Sequence, residues 1–447
     1  DRLGIKPLYY HHSARQFCFA STPDAIRELL PDTTLDPVAR DLFLALGYIP
    51  APHSIWREIR KLSPGTWLEF DQGVCNTHSY WEVPLPERSS GARQPDLDLI
   101  EQILSESIRM HLVADRELGV FLSSGIDSSL IAALATREFP QLKTFTIRFE
   151  EPEFDESETA TAIARALNTE HHTLTCSTDA AKAMIQQLPE VFTEPFADPS
   201  ALPTMLLCRE ARNHIVVALG GDGGDELALG YRHYAKYRRL APLLNLLSPL
   251  AAPLPRDQSS YHPSLLYKIP YLLGVKDKAL RTQIISAIGL LPYFSRLYGR
   301  EFPFDQTPWS RDKRLHELPG ELPLAMGELI QYLPDDLLVK TDRASMFFGL
   351  ELRVPLLDHK VLEHCLGLPL NWRREKRILR TLLGRYLPSE LSGGRKQGFS
   401  PPIATWLRTI FARDLRMLAE SKDFCELTQI RTDRLAQLVR EHCDGAC

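Results

Sequence analysis

Two short stretches carry the residues best suited to chemistry. The first is GVFLSSGIDSS, residues 119 to 129. An apolar run stops at Ser123-Ser124-Gly125, one acid follows at Asp127, then Ser128 and Ser129, then the helix-like LIAALA. Backbone N–H groups at a helix start bind anions, and serine hydroxyls add donors. Gly125 permits close backbone approach. Asp127 is a poor neighbour for phosphate unless a cation lies between them, so a magnesium-bound polyphosphate fits this mixture best. A well-capped helix explains the same residues about as well, because serine and aspartate are common caps.

The second stretch is HIVVALGGDGGDELALGY. Again an apolar run ends in glycine and acid: Gly220, Gly221, Asp222, Gly223, Gly224, Asp225 and Glu226. A tight turn needs only one or two such residues. Asp225 is a second candidate ligand for the cation that Asp127 requires. Two glycine-containing loops, each offering an aspartate, are expected to share one Mg²⁺.

Both loops must be delivered to the same edge. From residue 97 the chain alternates between helical and strand patterns. Leu97, Ile100, Leu104, Ile108 and Leu112 recur at helical spacing. GVFL, KTFTIRF, EHHTLTC and HIVVALGG read as strands, separated by the helices SLIAALATRE, ESETATAIARALN and ALPTMLLCREAR. Continuous apolar strands alternating with helices predict a doubly wound parallel sheet, an α/β fold. Its ligands sit beyond the carboxyl ends of the strands. Residues 231 to 345 read as mainly helical. Residues 1 to 83 read mostly as β, with paired strands around SAR, helices over PDAIRELL and DPVARDLFLALG, and a hairpin around Asp71-Gln72-Gly73. VPLPERSSGARQPD is the linker. The predicted division is 1–83, a linker over 84–96, and 97–447.

The totals exclude several classes. The chain has 447 residues, 44% hydrophobic and 24% charged, which is ordinary globular composition. A net charge of -5 gives no electrostatic reason to expect nucleic acid or an anionic membrane surface. No apolar stretch approaches a spanning helix. The eight cysteines are scattered without a CxxC, which predicts neither a zinc site nor a disulfide framework and points to a reducing cytoplasm. Adjacent strand residues face opposite ways, so His171 and His172 are expected to be structural. The basic run YRHYAKYRR is expected to be a solvated helix face, and Arg353 and Asp358 an ion pair.

LSSGIDSS resembles the SGGxDS pyrophosphate loop of ATP pyrophosphatases, and together with GDGGDE it resembles the synthetase domain of glutamine-dependent asparagine synthetases. FDESETATAIARALNTEHH, TEPFADPSALPT, YLPDDLLVKTDRASMFFGLELRVPLLDH and KRILRTLLGRYLP…RKQGFSPPIATWL match that domain in order. DRLGIKPLYY and GYIPAPHSIWREIRKLSPG resemble the later part of the family's α+β glutaminase domain. The resemblance implies amidation of aspartate through β-aspartyl-AMP, with ATP and Mg²⁺. By carry-over, Ser123, Ser124, Gly125, Ser128 and Ser129 hold pyrophosphate, and Asp127 and Asp225 hold the metal. Leu122, Ile147, Gly220 and Gly221 line the nucleotide site. Asp222 and Glu226 are the acids and Lys376 the cation of the reaction. Without the family, Lys376 reads as a surface lysine among Arg373, Arg374 and Arg377. The implied partners are small molecules (aspartate, ATP, and ammonia or glutamine), with no nucleic acid and no membrane; a homodimer is compatible with them. Relatives with these motifs also amidate other carboxylates, in polysaccharide or peptide biosynthesis. A tRNA-modifying pyrophosphatase and a degenerate regulatory relative are further readings.

Two departures stand out. Ser124 and Leu229 occupy positions where the family has glycine, and Ala228 replaces its phenylalanine. The chain opens at Asp1 within a strand-like segment, so a piece of a longer protein is expected. The family's nucleophile is an N-terminal cysteine, and the chain as given is expected to use ammonia alone.

Overall fold

In the computed structural model the described residues are 1–86, 94–151, 153–247, 312–392 and 401–445, with positions 294, 297, 298, 306, 307 and 310. Part of the predicted linker, and much of the segment read as helical between 231 and 345, lie outside them.

The N-terminal region follows its local signals. β1 (Tyr9–His12) pairs antiparallel with β2 (Phe17–Ala20), and α1 (Pro23–Arg27) packs against both. α2 (Pro37–Leu46) begins where the Asp36 carboxylate accepts from the N–H groups of Val38 and Ala39, and it ends at Gly47 in the left-handed conformation. β3 (Arg60–Lys61) joins β1 on its other edge. β4 (Thr66–Asp71) and β5 (Val74–Ser79) form the predicted hairpin, with Asp71 opposite Val74. Gln72 and Gly73 both have positive φ, as a two-residue primed turn requires.

The second region is built on five parallel strands in the order β10-β9-β6-β7-β8. α3 (Leu97–His111) leads into β6 (Leu118–Phe121), then come α4 (Ile126–Glu138), β7 (Lys143–Phe149), α5 (Ser157–Ala166) and β8 (Glu170–Cys176). The chain returns through α6 (Thr178–Phe192) and α7 (Ala201–Ala211) to β9 (Val217–Leu219), α8 (Gly224–Leu227) and α9 (Arg232–Leu247). β10 is Glu351–Arg353. β6 sits centrally, with its successor β7 on one side and β9 on the other. The winding direction reverses between β6 and β9, so the loops leaving these two strands open into one crevice. That places LSSGIDSS and GGDGGDE side by side.

α4 explains why this edge is rigid. Every residue from Ile126 to Ala135 is buried. Its sequence, rich in Ala, Ile and Leu on all faces, suits a helix enclosed by the sheet, α3 and the helix Arg377–Leu383. α4 also starts earlier than the sequence pattern suggested. Asp127, Ser128 and Ser129 therefore stand in its first turn rather than in the loop before it.

Other differences have local causes. α6 contains Pro189, which obscured its helical period. β10 is three residues long, too short for an alternation to register. The expected Arg353–Asp358 ion pair is not formed. Arg353 pairs with Glu351 and donates to the carbonyls of His111 and Val113, closing the end of α3. Asp358 instead accepts from Lys360 N and caps the helix His359–Leu366. His171 bonds Thr144 through Nδ1, and His172 stacks on Phe145, so both are structural as expected. The basic run in α9 is exposed at Arg232, Lys236 and Arg239 but buries Tyr234 and Tyr237.

Asp358→Ala should cost about 1 kcal/mol through the lost cap. Combined with Arg353→Met, the two losses should add within about 0.5 kcal/mol in urea denaturation. A larger coupling would reinstate the ion pair.

Candidate active site

The crevice is organised around a lysine. Lys376 Nζ pairs with Asp225 Oδ1 at 2.7 Å and also contacts Asp127 Oδ2. All three side chains are largely removed from water. The residue that pattern alone would put on the surface thus joins the two loops that the sequence singled out.

Its placement depends on backbone geometry. Glu375 and Lys376 are both left-handed, with φ of 56° and 57°. Two consecutive non-glycine residues in that region are uncommon and carry a steric cost. The surroundings hold them there. Arg373 Nε donates to Leu227 O at 2.9 Å, Lys376 N to Ala228 O at 2.9 Å, and Glu375 N to Leu229 O at 3.1 Å. Three successive carbonyls at the end of α8 are therefore gripped by the segment 373–376. From outside, Arg374 pairs with Glu321 at 2.6 Å. Arg373 is itself fully buried, and burial pushes its guanidinium down to about 10.

This arrangement accounts for one departure. Ala228 and Leu229 contribute carbonyls, which any residue supplies. Leu229 also adopts φ +47°, and its side chain is buried beside Tyr234 and Leu324. Two glycines, by contrast, are fixed by contact. A Cβ on Gly224 would lie 2.3 Å from the Asp127 carboxylate, and one on Gly230 would lie 2.2 Å from both Asp225 Oδ1 and Lys376 Cε.

The first loop is internally bonded. Ser123 and Ser128 hydroxyls meet at 2.9 Å, and Gly125 N donates to Ser123 Oγ. Ser129 Oγ donates to Gly125 O at 2.7 Å, within its own helix. Ser124 Oγ donates to Glu156 Oε2 at 2.6 Å, at the start of α5. Its hydroxyl is thus directed at a carboxylate, so Ser124 fills more than space. Leu122, just past β6, and Ile147, within β7, are both buried. Gly221 lies against the N–H of Ser128, and Gly220 under the Asp222 carboxylate.

Glu226 is fully buried and accepts from Tyr231 Oη at 2.6 Å. Burial first, and the charge of Asp225 second, push it up to about 8. It therefore carries a proton near neutrality. Sequence reasoning assigned no role to Asp198, Ser200 and Lys340, although TEPFADPSALPT and LLVKTDRASM were singled out as motifs. Lys340 Nζ bonds Asp198 and Ser200, each at 2.8 Å, and feels the charge of Asp222.

Asp127 and Asp225 converge on the Lys376 ammonium, and their carboxylate oxygens are the hard donors that Mg²⁺ prefers. Among the described residues no group of three or more His, Cys, Asp or Glu side chains is placed to hold a metal. Two carboxylates suffice where phosphate oxygens complete the shell. Among the described residues no helix is long and apolar enough to cross a membrane.

Comparison with known proteins adds a family. The family model described as asparagine synthase matches residues 99–446, and that of a glutamine amidotransferase domain matches residues 1–81. A Mycobacterium tuberculosis protein named "Putative asparagine synthetase (glutamine-hydrolyzing)" is 32% identical over 91% of this chain and 65% of its own length. The chain thus spans less than two thirds of that relative. Asparagine synthetase (glutamine-hydrolyzing) 1 of Bacillus subtilis is 26% identical over 99% of this chain and 71% of its own length. A Gibberella zeae protein named amidase chry2 is 23% identical over 91% and 67%.

Two predictions test the geometry. Gly230→Ala should leave the fold intact but displace Lys376 from Asp225, lowering kcat/KM for ATP on the order of tenfold or more. An unchanged value would show that the lysine's position is immaterial. Glu226 holds its proton up to about pH 8 in the folded chain, against an ordinary value of 4.5. Its contribution to stability is therefore full below the ordinary value and is lost as pH rises through about 8. Unfolding curves of Glu226→Gln should be flatter across that window than those of the parent. Equal slopes would contradict the burial argument.

Proposed function

The chain belongs to the asparagine synthase family, and on that premise we propose that it catalyses ATP-dependent amidation of aspartate to asparagine. The observation that carries the reading is the meeting of Asp127, Asp225 and Lys376 at the sheet's switch point. In the first half-reaction an aspartate β-carboxylate oxygen attacks the α-phosphorus of ATP. The bond to the bridging oxygen breaks, giving β-aspartyl-AMP and pyrophosphate. In the second, ammonia attacks the acyl carbon, AMP leaves, and the nitrogen sheds a proton. The nitrogen donor of the proposed reaction is glutamine or ammonia.

The roles follow from charge. Lys376 offsets negative charge that builds on the phosphates, where a fixed cation in a dry site is most effective. Asp127 and Asp225 would hold Mg²⁺, which would supply a second positive charge near the phosphates. The Ser123–Ser129 loop and the start of α4 orient that pyrophosphate through N–H groups and hydroxyls. Asp222 lies on the same edge, under the charge of Lys340, and serves in formation of the acyl-adenylate. Glu226 holds α8 through Tyr231 and keeps Asp225 turned to the lysine. Residues 1–83 form the later part of the glutaminase domain and 97–447 the synthetase domain, a division supported by the matched ranges. A cytoplasmic location belongs to the same proposal. It draws on the seven described cysteines, all of them free.

A second reading is amidation of a different carboxylate, favoured by the fungal relatives named amidases. One assay separates the two. With Mg-ATP and ammonium, pyrophosphate release should be strongest with aspartate among a panel of carboxylates. Release with another acid and not with aspartate would select the second reading. Asp127→Asn should reduce release by about 3 kcal/mol of barrier, roughly a hundredfold or more. A folded Asp127→Asn protein with near-parental activity would remove Asp127 from the metal site.

A further inference from the structure

Glu194 lies between α6 and α7, and its carboxylate is buried against the N-terminal region. Oε1 accepts from Tyr9 Oη at 2.9 Å and pairs with Lys61 Nζ at 2.7 Å. Oε2 accepts from Ser54 Oγ and Ile55 N, both at 3.3 Å. Three residues on, Ala197 N donates to Gly47 O at 2.8 Å. All these partners belong to residues 9–61, so the near end of the stretch 194–200 is held by the N-terminal region.

Its far end is held by the synthetase site. Asp198 pairs with Lys340 at 2.8 Å and accepts from Ser200 N and Oγ. Asp336 is buried, and burial first and the charge of Asp198 second push it well above the usual carboxylate range. Lys340 in turn acts electrostatically on Asp222, in the loop after β9. The helix Leu338–Phe347 repeats this two-sided pattern. Lys340 faces the site, Asp342 pairs with Lys6 at 2.7 Å, and Arg343 donates to Ser21 O and lies over the Tyr9 ring.

We propose that Glu194 is a positioning residue for the synthetase reaction: its seat on the N-terminal region sets Asp198, and Asp198 sets the Lys340 ammonium whose charge acts on Asp222. Only three residues separate Glu194 from Asp198, and one of them is pinned through its N–H. A buried ion pair tolerates little displacement, because each partner relies on the other in place of water. The short stretch therefore passes a shift at one end to the other. The activity arm of this inference rests on the proposed amidation; the exchange arm does not.

The test combines Glu194→Gln, Asp198→Asn and a paired variant, Lys61→Met with Glu194→Leu, that removes both charges from the N-terminal contact. Replacing a buried pair by apolar side chains often preserves stability, so the paired variant should fold. Glu194→Gln should lower kcat for acceptor-dependent pyrophosphate release about tenfold, with KM for ATP changed less than about threefold. The paired variant should recover thermal stability but not kcat. Glu194→Gln with Asp198→Asn should be no worse than the poorer single variant, because both cut one connection. Amide hydrogen exchange over 196–204, read without substrate, should speed up about tenfold in Glu194→Gln and in the paired variant. Full recovery of kcat in the paired variant, additive losses, or unchanged exchange over 196–204 would each overturn the proposal. Faster exchange in a protein that releases pyrophosphate with no carboxylate would support the positioning role while rejecting the amidation.

Discussion

One buried ammonium between two carboxylates organises the site. Asp127 comes from the first turn of α4, Asp225 from α8, and Lys376 from a segment about 150 residues further along the chain. Isolated from water, any one of these charges would cost several kcal/mol. Together they lower that cost, but only in one arrangement. The requirement reaches outward: Gly224 and Gly230 must lack side chains, Glu375 and Lys376 must be left-handed, and the carbonyls of residues 227–229 must face the segment 373–376. A loop between strands cannot satisfy such conditions alone. The enclosed helix α4 and the close packing of the helix Arg377–Leu383 against it supply the rigidity.

The same economy governs the contact between the two regions. Glu194, Lys61 and Tyr9 form a buried polar group with each member satisfied from the other side, and Lys340, Asp198 and Ser200 form a second. The stretch 194–200 belongs to both. The proposed reaction gains from having the two regions fixed in a single geometry. The two charge clusters do this without exposing either to water.

The sequence disclosed the sheet and both loops because these rest on local signals. Apolar runs ending in glycine and acid mark strand exits, and the helix pattern after Gly125 marks α4. Asp36, Gln72-Gly73 and the α3 stripe were equally local. What stayed hidden was non-local. Lys376 is flanked by arginines, and nothing in NWRREKRILR announces a left-handed pair. Pro189 masked α6, and three residues were too few to reveal β10. Arg353 and Asp358 are five residues apart and of opposite charge, yet each found a backbone partner, since capping a helix satisfies orphaned groups that an ion pair would leave exposed. Ser124 was visible as a departure from glycine, but its partner Glu156 lies on another element, at the start of α5. Family resemblance singled out Lys376; the geometry shows it between the carboxylates of Asp127 and Asp225.

The central claim is that the Asp127–Lys376–Asp225 junction receives the polyphosphate and its cation. Calorimetric titration of Mg-ATP into the parent protein and into Lys376→Met tests it most directly. The account predicts that Lys376→Met, still folded, binds Mg-ATP at least about tenfold more weakly, since a hydrogen bond to a charged group is worth ~1.5–3 kcal/mol. Equal affinity in the two proteins would place the nucleotide elsewhere and contradict the account.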